Sequence, residues 1–158
     1  MSARVELEAT IQKQALQRGA SVGLLIGLAR RRIKQTVGRL VQPFGLSPQQ
    51  FWFLITLEEH PGISLRELAQ RTWTDAPTAS RVIQTLSRRR LVRAHGHPLD
   101  RRRNRLLLTA GGLTLARRLQ RVAEQVRSRV RQPLNRAEQE TLRRLLRAVI
   151  ANLDGVSS

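Results

Sequence analysis

The chain has 158 residues, 41% of them hydrophobic but only 3% aromatic, with 29 Lys and Arg against 11 Asp and Glu (formal net charge +18) and no cysteine. This length suits one domain with a core of Leu, Val, Ile and Ala, and the lack of cysteine excludes disulfides, thiolate nucleophiles, thiolate metal sites and thiol redox sensing. The charge excess calls for a polyanionic partner. Every basic residue except Lys13 and Lys34 is arginine; its planar fork matches phosphates and guanine edges, although a GC-rich genome also enriches arginine. The apolar run at residues 22–29 falls far short of the roughly 20 residues that span a bilayer. No cleavable signal pattern precedes it, so a cytoplasmic protein is expected.

In chain order, the first predicted element is a long helix over residues 6–41, with Leu24, Leu25, Leu28, Ile33, Val37 and Leu40 on one broad apolar side. Gly19, Gly23 and Gly27 recur every four residues along one edge, as a close helix crossing requires, or as room left for a ligand. Gly45 ends the element. In "LSPQQFWFLITLEEHPG", Ser47 and Gln50 form a capping-box pattern and Pro48 takes the first helical position, where a missing N–H costs nothing. A helix of about three turns follows until "HPG" breaks it. "SLRELAQRT" then opens a short third helix with the capping box Ser64 and Glu67.

"WTDAPTASRVIQTLSRRR" begins a fourth helix at Asp75, with Pro77 tolerated in the first turn. Ala79, Val82, Ile83 and Leu86 repeat at helical spacing as the expected buried stripe. The other side carries Arg81, Gln84 and Arg88, flanked by Thr78, Ser80 and Thr85, all able to donate or accept hydrogen bonds. Such a face suits base edges, and equally suits plain solvation. Two short β-like runs, "LVRAH" and "RLLLT", enclose the turn residues "HPLD" and the arginine-rich tip, which gives a hairpin. Two short helices joined by a tight turn and followed by a basic hairpin is the order of a winged helix-turn-helix. After it come a long amphipathic helix with Leu115, Ala116, Leu119, Val122, Ala123 and Val126 in a four-three rhythm, and a last helix capped by Asn135 and Glu138. That last helix carries Leu142, Leu145, Leu146, Val149, Ile150 and Leu153.

The wing, "DRRRNRLLLT", is similar to that of the multiple-antibiotic-resistance regulator (MarR) family of bacterial transcription factors, whose pattern of Asp-x-Arg and then Leu-Thr corresponds to Asp100, Arg102, Leu108 and Thr109. "LRELAQRT" and "APTASRVIQTL" stand where that family has its two helix-turn-helix helices, and the resemblance covers nearly the whole chain. It implies a mainly α fold with a small β-hairpin wing: a winged helix-turn-helix lobe over residues 47–110 and dimerisation helices over 1–46 and 111–158. It also implies a homodimer that presents two lobes to adjacent major grooves of double-stranded DNA, most often as a repressor. Two departures stand out. Arg90 replaces the family's usual glycine before the wing strand, where a left-handed non-glycine residue costs of order 1 kcal/mol, and the pair Gly111 and Gly112 weakens the start of the next helix.

For the interface, Arg81 and Gln84 are the expected base readers, since Arg binds guanine and Gln binds adenine through two hydrogen bonds. Thr78, Ser80, Thr85 and Arg88 are expected on phosphates. By resemblance, Arg102 enters the minor groove with Asp100 bracing it, and Arg101, Arg103 and Arg105 read as phosphate anchors. The family commonly binds small aromatic or phenolic effectors between the dimerisation helices and the lobe, which makes Trp52 and Gly27 effector candidates, with core packing as the competing role of Trp52. His60, His95 and His97 are too scattered for a metal site, and no cofactor is expected. The chain has no nucleophile–base constellation or Gly-rich phosphate loop, so the reading is not an enzyme. The rival reading is a general nucleoid or RNA-binding basic protein without sequence preference.

Overall fold

The structure, a computed structural model, describes residues 19–96 and 105–155. Backbone contacts divide the chain into two compact units, Met1–Pro48 and Gln49–Ser158. In the first, α1 (Val22–Val41) starts at Ser21, whose hydroxyl accepts from the Leu24 N–H. It passes into a 3₁₀ turn at Gln42–Phe44 and ends where Gly45 takes the left-handed conformation at φ 63°. The residues predicted as helical before position 19 lie outside the described ones. Gly19 itself stands in a turn at φ 56°, so it does not share the helix edge with Gly23 and Gly27. A Cβ added at Gly23 or Gly27 would meet nothing within 4 Å, so no close crossing over either is formed among the described residues.

The second unit contains α2 (Pro48–Glu59), α3 (Leu65–Arg71), α4 (Ala76–Arg88), β1 (Val92–His95), β2 (Arg105–Leu108), α5 (Ala110–Arg131) and α6 (Arg136–Asp154). Helix α2 is its apolar centre: Phe51, Phe53, Leu54, Ile55 and Leu57 are all buried, as burial on several sides requires of a helix with so little polar surface. Leu68 and Ala69 of α3, Leu86 and Ala79 of α4, and Ala116, Leu119 and Ala123 of α5 complete the core. The predicted stripe of α4 is narrower than expected, because Val82 and Ile83 are only half-buried. Glu59 of α2 pairs with Arg127 of α5 at 3.1 Å, and Glu58 accepts from Gln120.

The two strands pair antiparallel with Val92 opposite Leu108 and Ala94 opposite Leu106. Val92 and Leu106 therefore share one face, and both are buried. Leu106 also exchanges backbone hydrogen bonds with the segment before α3: the Gly62 N–H donates to its carbonyl at 3.0 Å, and its own N–H donates to Ile63 at 2.9 Å. The hairpin is thus fastened to the helix-turn-helix through the turn before α3, a junction that alternation of apolar residues did not announce.

At the exit of the hairpin, Thr109 joins three chain ends. Its hydroxyl donates to the Arg90 carbonyl at 2.7 Å and accepts from the Gly112 N–H at 3.0 Å, and its own N–H donates to the Leu91 carbonyl at 3.0 Å. The same corner explains Gly112. A Cβ there would lie 1.9 Å from the Leu91 carbonyl oxygen, so the glycine that weakens the helix by propensity is required by the close approach of the backbone.

Candidate nucleic-acid interface

Helix α4 is held at its start by Asp75, whose carboxylate accepts from the Thr78 N–H at 2.8 Å. That N–H, then the Thr78 hydroxyl and the charge of Arg81, hold the Asp75 carboxyl below its ordinary pKa. The guanidinium of Arg81 donates back to the Thr78 hydroxyl at 3.2 Å, so the side chain lies toward the helix N-terminus, where recognition helices meet base edges. Gln84 and Arg88 follow on the same exposed side. Thr78, Ser80 and Thr85 are half-buried at its margins, and the Thr85 hydroxyl is engaged with the Arg81 carbonyl at 3.0 Å. The structure therefore brings the six predicted residues of this helix onto one side, with Arg81, Gln84 and Arg88 the most accessible.

The helix ends as the substitution at position 90 demands. Arg89 is its C-cap and Arg90 takes the left-handed conformation at φ 55°, with its N–H donating to Ser87 at 2.8 Å. Arg90 thus accepts the strain that glycine would avoid. A second left-handed non-glycine residue, Trp73 at φ 51°, sits in the turn between α3 and α4 and is 84% exposed. Sequence reasoning missed it; the short span from Arg71 to Asp75 was the available sign of a sharp reversal.

Of the wing residues, Asp100, Arg101, Arg102 and Arg103 lie outside the described residues, as does His97. Arg105 is described: it donates to the Gly62 carbonyl at 3.3 Å and stands 3.9 Å from Glu67. It braces the base of the wing while remaining exposed. Glu67 closes the capping box of α3, accepting from the Ser64 N–H at 2.7 Å; this bond first, then the Ser64 hydroxyl and the charges of Arg105 and Arg71, lower its pKa. Trp52 is half-buried and meets Phe51 edge-on, with ring centroids 4.8 Å apart. Gly27 is exposed on α1. His60 Nε2 accepts from the Arg71 guanidinium at 3.1 Å, and among the described residues no three His, Asp or Glu side chains converge as a metal ligand set.

The sequence profile of the MarR family matches residues 44–103, the stretch from the end of the 3₁₀ turn to the wing tip. No curated protein matches the sequence. Among solved structures, Bordetella bronchiseptica BpsR, whose DNA binding is regulated by 6-hydroxynicotinic acid, is 30% identical with a TM-score of 0.74, over 81% of this chain and 97% of that one. Staphylococcus aureus MepR in complex with DNA has a TM-score of 0.78 at 20% identity, over 86% of this chain and 99% of that one. A MarR-family regulator from Listeria monocytogenes complexed with a 26mer DNA has a TM-score of 0.76 at 23% identity, over 84% and 89%. Among the described residues no helix is long and apolar enough to cross a membrane. With a capped recognition helix, an adjoining hairpin wing and a relative alike over almost its entire length, the chain belongs to the MarR family of DNA-binding transcriptional regulators.

Proposed function

We propose that this protein is a homodimeric repressor of pseudo-palindromic operator sites, released by a small aromatic or phenolic effector and performing no catalysis. The observation that carries this reading is the exposed row Arg81, Gln84 and Arg88 on a helix whose start is fixed by Asp75. In this reading Arg81 and Gln84 read bases, and Thr78, Ser80, Thr85 and Arg88 hold phosphates. Arg102 enters the minor groove with Asp100 as its brace, while Arg101 and Arg103 neutralise phosphates. Arg105 combines a phosphate contact with its bracing of the wing base. The exposed apolar side chains Leu142, Leu145, Ile150 and Leu153 of α6 support pairing with a second copy through the terminal helices. Regulation of BpsR by 6-hydroxynicotinic acid supports an aromatic acid as effector here, with Trp52 as its candidate contact.

The test is selection of bound genomic fragments at physiological salt. An imperfect palindrome with half-site centres about one helical turn apart is expected. Enrichment of no sequence, with affinity governed by salt alone, would replace this reading with a general nucleoid protein. Thermal shifts with aromatic acids and phenols test the effector, since a ligand of the folded state raises its stability. Derepression of a reporter by the same compound tests the repressor role.

A further inference from the structure

We propose that α5 and α6 carry a second surface for duplex DNA, so that a dimer seated on one duplex holds a further DNA segment against its helical body; this rests on the dimeric DNA-binding reading above. Charge distribution carries the argument. Residues 1–46 contain eight basic and two acidic residues, 47–110 eleven and five, and 111–158 ten and four, so each part is +6 and two-thirds of the net charge lies outside the winged lobe. A lobe that alone met DNA would not need it there.

The acids on α5 and α6 are nearly all engaged. Glu124 pairs with Arg131, Glu140 with Arg143 at 3.1 Å, and Glu138 accepts from the Asn135 N–H in the capping box at 2.7 Å. Arg117, Arg121, Arg129, Arg136, Arg144 and Arg147 are exposed and have no ion pair among the described residues. Their placement is not random. Arg117 and Arg121, one turn apart, lie opposite the side on which α5 buries Leu119, Ala123 and Val126. On α6, Arg136 and Arg147 are three turns apart on one line with Arg144 beside it, away from Leu142, Leu145 and Leu153, while Ile150 stands one turn from Arg147. The basic face and the face left for a second copy therefore adjoin on the same helix, with Ile150 at their border.

Association of two copies through these helices brings like charge to like charge, which opposes the dimer unless counter-charge is supplied. The polyanion at highest effective concentration is the DNA to which the lobes already hold the protein. Guanidinium groups at helical spacing match its phosphates without reading sequence. Duplex DNA is accordingly the partner, rather than an anionic membrane or an acidic protein.

The experiment uses full-length protein bound to bead-held duplex DNA carrying the selected site, or random sequence if none emerges, and measures capture of a labelled second duplex across a salt series. The comparison is a variant with Arg117→Gln, Arg121→Gln, Arg136→Gln, Arg144→Gln and Arg147→Gln, and another with Lys at the same five positions. The parent and Lys proteins are expected to capture the second duplex at low salt. The Gln variant should bind the bead duplex as the parent does, sediment as a dimer, and capture at least tenfold less. Each lost phosphate contact lowers the salt slope of capture by about 0.9. No capture by the parent, or equal capture by a dimeric Gln variant, overturns the proposal. Absence of an enriched site bears only on the operator reading, because capture is scored on either bead duplex.

Discussion

At the scale of single residues, the lobe combines strong local fastening with two strained positions. The Asp75 cap works as a charged acceptor whose folded-state pKa is lowered, as is that of Glu67. Such groups add stability above the unfolded-state value, near 4 for carboxylates, and that stability is lost as pH falls through the lower folded-state value. Thermal melts from pH 6 to pH 2 should therefore show a falling midpoint below about pH 4. Asp75→Asn, which keeps the acceptor oxygen but does not titrate, should flatten part of that fall, and Asp75→Ala should lower the midpoint at neutral pH. Gly112→Ala is expected to cost about 3 kcal/mol in urea unfolding, since a methyl group would meet a backbone carbonyl oxygen that cannot rotate away. Trp73→Gly and Arg90→Gly should each stabilise by roughly 1 kcal/mol, because each removes a left-handed side-chain residue. An unchanged midpoint in both would mean that the two turns carry no strain.

At the scale of elements, the recognition helix and the wing make separable predictions. Arg81→Ala and Gln84→Ala should each weaken operator binding by about 1–3 kcal/mol and weaken random duplex much less, with the far-ultraviolet dichroism unchanged. Arg88→Ala should weaken both alike and lower the salt slope by about 1. The starts of α3, α4 and α6 were legible in the sequence because a polar cap three residues before its partner is a local signal, and Ser64, Asp75 and Asn135 all cap as their spacing implies. The hairpin was legible from its two apolar runs. What escaped the sequence was non-local. The pairing of Leu106 with Gly62 and Ile63 joins segments more than forty residues apart, Arg105 turned out to brace that junction, and the need for Gly112 comes from the backbone of Leu91 rather than from its own helix. The side of α4 that faces outward was readable from period alone, while the narrowness of its buried stripe depended on how much of Val82 and Ile83 its neighbours cover.

At the scale of the whole molecule, α6 has no fully buried residue although its apolar positions keep helical spacing, which fits the pairing with a second copy proposed above. Leu145→Glu is expected to give monomers in sedimentation at micromolar concentration and to reduce operator affinity at least tenfold, because half-sites would no longer be bound together. Wild-type affinity in a monomeric variant would separate dimerisation from DNA binding. The corner at Thr109 gives such an assembly its mechanics. One hydroxyl bonds the end of α4 through Arg90 and the beginning of α5 through Gly112, so the two helices are tied at one point as a wrench head is to its handle. For the effector-released dimer proposed above, this corner makes a change in the spacing of the two lobes the expected route of release, and Thr109→Val, which cuts the link while keeping the side chain's shape, should blunt the response to effector more than it weakens binding in its absence.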